Sequence, residues 1–228
     1  MVRRNQSGIV AVFDVDKTLL DSGRKLQIDV VEAMGRLGTH IAPEEVSGDW
    51  YGLAEAHGLD RDEFDRELDK RKSWERALRD GDAPLFDDVI PCLDRLQDEG
   101  VRLAVLTRST PEYTEAKLEH YRLRRYFGDN VAVTPFKSPG GKGQEAIELV
   151  RGLGFDTIER AYFIGDNPED VIVDAAVHDA LGIQTHGVHL DRNGEGFSDE
   201  IATVKHPYER SHVKTLAEVP DIILGGTD

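Results

Sequence analysis

Residues Gly8 to Gly23 read GIVAVFDVDKTLLDSG, and this stretch decides the fold. Ile9, Val10, Ala11, Val12 and Phe13 form an unbroken apolar run suited to a strand buried on both faces. Asp14 and Asp16 follow one residue apart, with Lys17 and Thr18 between them and Asp21. Two carboxylates about 4 Å apart, at an effective dielectric of about 20, repel by roughly 4 kcal/mol. A buried strand that ends in such a pair calls for a positive partner at its tip.

Working outward, similar apolar runs recur at Val101–Thr107, Val131–Thr134, Ala161–Gly165 and Gly182–Val188. Between most of them lie segments of helical spacing, among them DDVIPCLDRLQDEG and TPEYTEAKLEHYRLRRYFG. Strands alternating with helices imply right-handed crossovers, so the expected fold class is α/β: a Rossmann-like parallel sheet with helices on both faces. From Gly23 to Pro84 the alternation stops. KLQIDVVEAMGRLG, APEEVSGDWYGLAEAHG and DRDEFDRELDKRKSWERALRDG all carry helical patterns. The expected organisation is a core of residues 1–22 and 85–228, with a small all-helical cap at 23–84 inserted after the first strand. The charge-rich run Asp60 to Arg79 reads as a solvated helix face, and Trp50, Tyr51 and Trp74 as filling of the cap core.

Ligands of open parallel sheets bind beyond the carboxyl ends of the strands. Those ends here carry DVDKT, then Thr107-Arg108-Ser109, then GDNPED with Asp166 and Asp170. Asp14 and Asp16, at i and i+2 of an extended chain, project the same way. With Asp166 and Asp170 they give three or four carboxylates around one point. Hard oxygen ligands, with no cysteine or histidine in the motif, select magnesium over zinc. One carboxylate is then left for chemistry: Asp14 as a nucleophile on phosphorus, with Asp16 moving a proton to the leaving oxygen and later from water. Thr107 is a hydrogen-bond partner for a phosphoryl oxygen. A lysine is needed against the developing charge, and two compete. Lys142 opens a helix whose N-terminal amides favour anions, which makes it the preferred one, and Lys137 lies in the preceding loop.

DVDKT, Thr107, Lys142 and GDNPED match, in order, the four motifs of the haloacid dehalogenase superfamily, so the chain from Ile9 to about Val188 resembles that superfamily's core. The resemblance implies a magnesium cofactor and an aspartyl-phosphate intermediate. It implies Asp14 as nucleophile, Asp16 as acid/base and, through its backbone carbonyl, a metal ligand, and Asp166 with Asp170 as the acidic metal pair. The second aspartate, Asp16, favours phosphoryl transfer over carbon–halogen hydrolysis. Two features depart from the pattern. Lys17 stands where glycine is common, and the tail at 189–212 is long and polar, read as a loop over the site or an insertion.

The expected function is a magnesium-dependent phosphatase acting on a small phosphorylated metabolite, the cap closing to exclude water. The alternatives are a phosphomutase of the same superfamily and a non-catalytic phosphometabolite-binding module. Arg24, Lys25 and Arg108 are candidates to hold a second anionic group of the substrate. A net charge of −16 argues against nucleic-acid or anionic-membrane partners. The single cysteine, Cys92, cannot form an internal disulfide, and a reducing cytoplasm is the expected compartment. The apolar run behind Arg3 and Arg4 is too short for an export signal. GGKG at 140–143 lacks the residues of a phosphate-binding Walker loop, and GLG at 152–154 closes a helix instead of opening one. His186 and His189 lack a third ligand nearby in the sequence, so zinc is not expected there.

Overall fold

The computed structural model describes residues 8–46, 50–70, 74–134, 141–192, 194 and 210–225. It divides the chain into two compact units, one of residues 1–20 and 85–228, the other of residues 21–84.

The first unit is built on six strands: β1 (Ile9–Phe13), β2 (Arg102–Thr107), β3 (Val131–Val133), β4 (Arg160–Gly165), β5 (Gln184–Leu190) and β6 (Arg210–Val213). Every neighbouring pair is parallel, in the order β3-β2-β1-β4-β5-β6. Helices fill the crossovers from β1 through β5, as parallel pairing requires, and another follows β6. In the sequence order of this unit, with numbering that leaves α1–α4 to the second, they are α5 (Val89–Asp98), α6 (Pro111–His120), α7 (Arg124–Phe127), α8 (Gly141–Gly152), α9 (Pro168–Leu181) and α10 (Val219–Gly225). Val10 and Val12 pack on one face with Ala104, Leu106, Phe163 and residues of α8 and α9. Strand alternation sends Phe13 to the other face, where its ring meets Phe127 of α7 at 6.3 Å. The Tyr162 hydroxyl on that same face reaches the Ile223 carbonyl of α10. Both faces are therefore covered by helices, and β1 is buried throughout its length, as its apolar run predicts.

β6 was not expected. Arg210-Ser211-His212-Val213 is too short and polar to stand out from the tail, yet it pairs with Gly187–Leu190. Its place is fixed from outside the strand: the Arg210 guanidinium meets the Asp174 carboxylate of α9 at 2.8 Å, with Asp174 fully buried. The tail reading at 189–212 is corrected at both ends, since His189 and Leu190 complete β5 and 210–212 begin an edge strand. Residues 195–209 lie outside the described ones. Cys92 is buried in α5, where lost hydration, then the Asp88 charge, pushes its thiol up to about 12.

The second unit contains, among its described residues, only helices: α1 (Gly23–Arg36), α2 (Trp50–Ala56), α3 (Arg61–Leu68), α4 (Trp74–Asp80) and a short 3-10 turn at Pro43–Glu45. Val30, Ala33 and Met34 of α1 pack with Ala54, Phe64 and Leu68. Trp74 is buried, and Trp50 and Tyr51 pack partly buried against the cluster. The stretch from Asp60 to Arg79 forms two helices and not one. Phe64 and Leu68 make one apolar stripe, Trp74, Ala77 and Leu78 another, and at 3.6 residues per turn the two are out of phase. No helix of the described residues is long and apolar enough to cross a membrane.

Candidate active site

Three strand ends deliver the site. Phe13 lies in register between Val105 and Ile164, so Asp14 leaves the sheet at its centre, its amide donating to the Ile164 carbonyl at 2.9 Å. Thr107 closes β2, buried, its hydroxyl accepting from the Ser109 amide. Gly165 closes β4, and Asp166 and Asp170 follow across the start of α9. That helix starts because Asn167 caps it: its side chain accepts from the Glu169 amide, its own amide donates to Asp170 Oδ2, and Pro168 stands at the first position. Asp170 thus serves both the cap and the site.

Asp14, Asp166 and Asp170 each offer a carboxylate oxygen within 4.8 Å of the others. Lys142, at the start of α8 and almost fully buried, donates to Asp14 Oδ1 at 2.8 Å and to Asp170 Oδ1. Burial raises the Asp14 carboxyl well above its ordinary range; Asp170 and Asp166 add to the rise, and Lys142 opposes it. Burial, followed by the Asp170 charge, pushes Asp166 up to about 7. Burial works to lower the Lys142 ammonium, but Asp14 and Asp170 outweigh it and hold the proton on. Three crowded, oxygen-only acids beside the buried Lys142 ammonium form a donor set that fits a hard divalent ion.

These shifts set a pH dependence. Where folding raises a carboxyl's pKa, the unfolded chain releases the proton first, so stability falls as pH rises between the two values. For Asp166 that window runs from its ordinary value near 3.8 to about 7. In chelator, the unfolding temperature of the wild type is expected to drop from pH 5 to pH 7.5 by several degrees more than that of Asp166→Asn, as calorimetry would read.

Of the sequence-named residues, the structure brings Asp14, Asp166, Asp170 and Lys142 together. The Asp16 side chain is not part of this carboxylate group: Oδ2 accepts from Lys117 Nζ at 2.6 Å. Lys137 lies outside the described residues. Arg108 makes a two-pronged pair with Glu169, its Nε at 2.7 Å from Oε2. Arg24 is an exposed residue of α1, in the second unit. Lys25, also on α1, is buried and paired with Asp29.

Four residues take roles here that the sequence reading did not assign them. The Thr18 hydroxyl accepts from the Asp166 amide at 3.2 Å and lies 3.4 Å from Asp166 Oδ1, tying the two acidic loops together. Lys17 has φ of 60°, in the left-handed region, and its ammonium lies 3.9 Å from Asp166 Oδ2. That backbone geometry is why glycine suits the position. His189 Nε2 lies 3.1 Å from the Asp166 carbonyl, so this nitrogen carries the proton, and Nδ1 faces His212 at 3.0 Å. Lys117 is the fourth.

Gly165 is required by proximity. A Cβ there would stand 2.3 Å from the Asp170 Cβ. Gly165→Ala is expected to destabilise the protein by about 3 kcal/mol, the upper range for overpacking, and to displace Asp170. Denaturant unfolding and an activity assay check both parts.

Residues 10–177 match the family described as haloacid dehalogenase-like hydrolase. The chain belongs to this family. Among curated relatives, a phosphoglycolate phosphatase of Aliivibrio fischeri is 27% identical over 203 residues, covering 82% of this chain and 87% of its own. The tyrosine-protein kinase PtkA of Mycobacterium tuberculosis is 26% identical over 225 residues, 96% of this chain and 73% of its own. Among solved structures, a haloacid dehalogenase-like hydrolase of Streptococcus pneumoniae superposes with a TM-score of 0.68 at 19% identity, covering 94% of this chain and 98% of that one. The expectation of a phosphatase-type hydrolase of the haloacid dehalogenase family agrees with the family match and with the phosphoglycolate phosphatase relative, and the expected parallel α/β fold agrees with the superposed structure.

Proposed function

We propose that the protein is a magnesium-dependent phosphatase that hydrolyses a small phosphorylated metabolite through an aspartyl-phosphate on Asp14. One observation carries this reading: a buried Asp14 that shares a point with Asp166, Asp170 and Lys142 at the carboxyl end of a parallel sheet. Asp14, Asp166 and Asp170 would hold the ion, with the Asp16 backbone carbonyl as the further ligand that the family resemblance implies. Bound magnesium supplies charge neutralisation between the carboxylates and the incoming phosphate.

The chain's own groups do the rest. An Asp14 oxygen attacks phosphorus, and the ester P–O bond breaks with its electron pair going to the leaving oxygen. Asp16 gives that oxygen a proton. Water then attacks the phosphorus of the aspartyl-phosphate, Asp16 takes its proton, and the Asp14 carboxylate is released with inorganic phosphate. Lys142 offsets negative charge on the transferring group, and the Thr107 hydroxyl hydrogen-bonds one of its oxygens. Arg108, steadied by Glu169, is the cation we assign to a second anionic group of the substrate; Arg24 is carried from the sequence as a further candidate.

Hydrolysis of a phosphomonoester panel, with magnesium and with chelator, tests the proposal. Phosphate release that needs the ion is expected; a folded protein inert toward the whole panel would contradict it. One observation favours a second reading, transfer of phosphoryl to a protein tyrosine: the PtkA match spans 96% of the chain. Phosphotyrosine formed from ATP without comparable phosphate release would select it.

A further inference from the structure

α6 carries a lysine on its buried side. Thr110 caps the helix, and Thr114, Lys117 and Leu118 form its buried face at spacings of three and four. The Lys117 side chain is 0% exposed, a costly position for an ammonium unless it is fully engaged. Its Nζ donates to Asp16 Oδ2 at 2.6 Å and to Ser109 Oγ at 3.0 Å, so it joins the helix, the end of β2 and the loop after β1. Asp16 Oδ1 is itself buried and has no hydrogen-bond partner among the described residues.

We infer that Lys117, seated by Ser109, is a positioning residue that sets which oxygen of Asp16 exchanges the proton. This rests on the phosphatase reading above. An ammonium has only donors, so Oδ2 is committed as an acceptor. The proton handled by Asp16 rides on Oδ1, the oxygen left without a partner. In the first step Oδ1–H gives its proton to the oxygen leaving phosphorus, as the P–O pair departs and the bond to Asp14 forms. In the second, Oδ1 accepts a proton from water as the water oxygen bonds to phosphorus and Asp14 is freed. Lys117 touches neither substrate nor phosphorus in this scheme. Without it the Asp16 carboxyl can rotate, and the two oxygens lose their distinction.

Leaving-group dependence reads this role, because a poor leaving group needs the acid and a good one scarcely does. We would measure kcat/KM for wild type, Lys117→Gln and Lys117→Arg on 4-nitrophenyl phosphate and on a simple alkyl phosphate. General acid catalysis is worth about 10²–10⁴-fold, so Lys117→Gln is expected to lose at least about 10-fold more on the alkyl ester than on the aryl ester. Lys117→Arg is expected to recover part of that difference. Ser109→Ala gives the same comparison should Lys117→Gln fail to fold, with a smaller shift in the same direction. An active wild type with an equal loss on both esters in the variants would overturn the inference and leave the phosphatase reading intact. A wild type inert on both esters would overturn the phosphatase reading, and this inference with it.

Discussion

Asp14→Asn is expected to lower kcat by about 10⁴-fold or more while leaving the protein folded, the scale of loss seen when a nucleophile is removed. Asparagine fills the same volume, but its amide does not form the mixed anhydride with phosphate. The structure adds a second expectation. Asp14 is buried beside Asp166 and Asp170, and burial opposes its charge. A neutral amide removes that opposition, and Lys142 retains Asp170 as its partner. The unfolding temperature in chelator is therefore expected to hold or rise. A stopped phosphate assay and a thermal melt on the same sample check the two parts.

Lys142→Met is expected to damage both activity and stability. It removes the ammonium that meets Asp14 and Asp170, and the carboxylates that remain are buried without their cation. Breaking one side of a buried ion pair costs about 3–5 kcal/mol. Losing a fixed positive group aimed at developing charge costs roughly 10²–10³-fold in kcat. Added magnesium is expected to recover part of the stability, because it supplies charge at the same acids. Lys137→Met is the matched control, and denaturant unfolding with single-substrate kinetics on both variants checks the pair. Equal losses in the two variants would return the choice between these lysines to the open state in which the sequence leaves it.

How far the sequence carries can be seen residue by residue. The strand at Ile9–Phe13 is legible because a strand buried on both faces must be apolar throughout, and the acids at its end are legible because nothing in packing calls for them. GDNPED is legible twice over, as a helix start and as an acidic loop, and both readings coincide in Asp170. What escapes is what depends on partners distant in the chain. Lys117 lies 101 positions from Asp16, and its one local signal is a charge on the face shared by Thr114 and Leu118. His189 sits inside β5, and only the register opposite Gly165 brings it to the Asp166 carbonyl. β6 draws its place from Asp174 and from the edge left by β5, not from its four residues. The split of Asp60–Arg79 into two helices was readable from the phase of its apolar positions, which the abundance of charge hides.

In the proposed reaction the phosphoryl group passes through Asp14. Protein mixed with a ³²P-labelled phosphomonoester and magnesium, quenched in acid within a turnover and digested, tests it most directly. The expected label survives acid, is released by hydroxylamine, maps to the peptide containing Asp14, and is absent from Asp14→Asn and from the chelated sample. Steady phosphate release with no label on the protein, or with label on another residue, would contradict it.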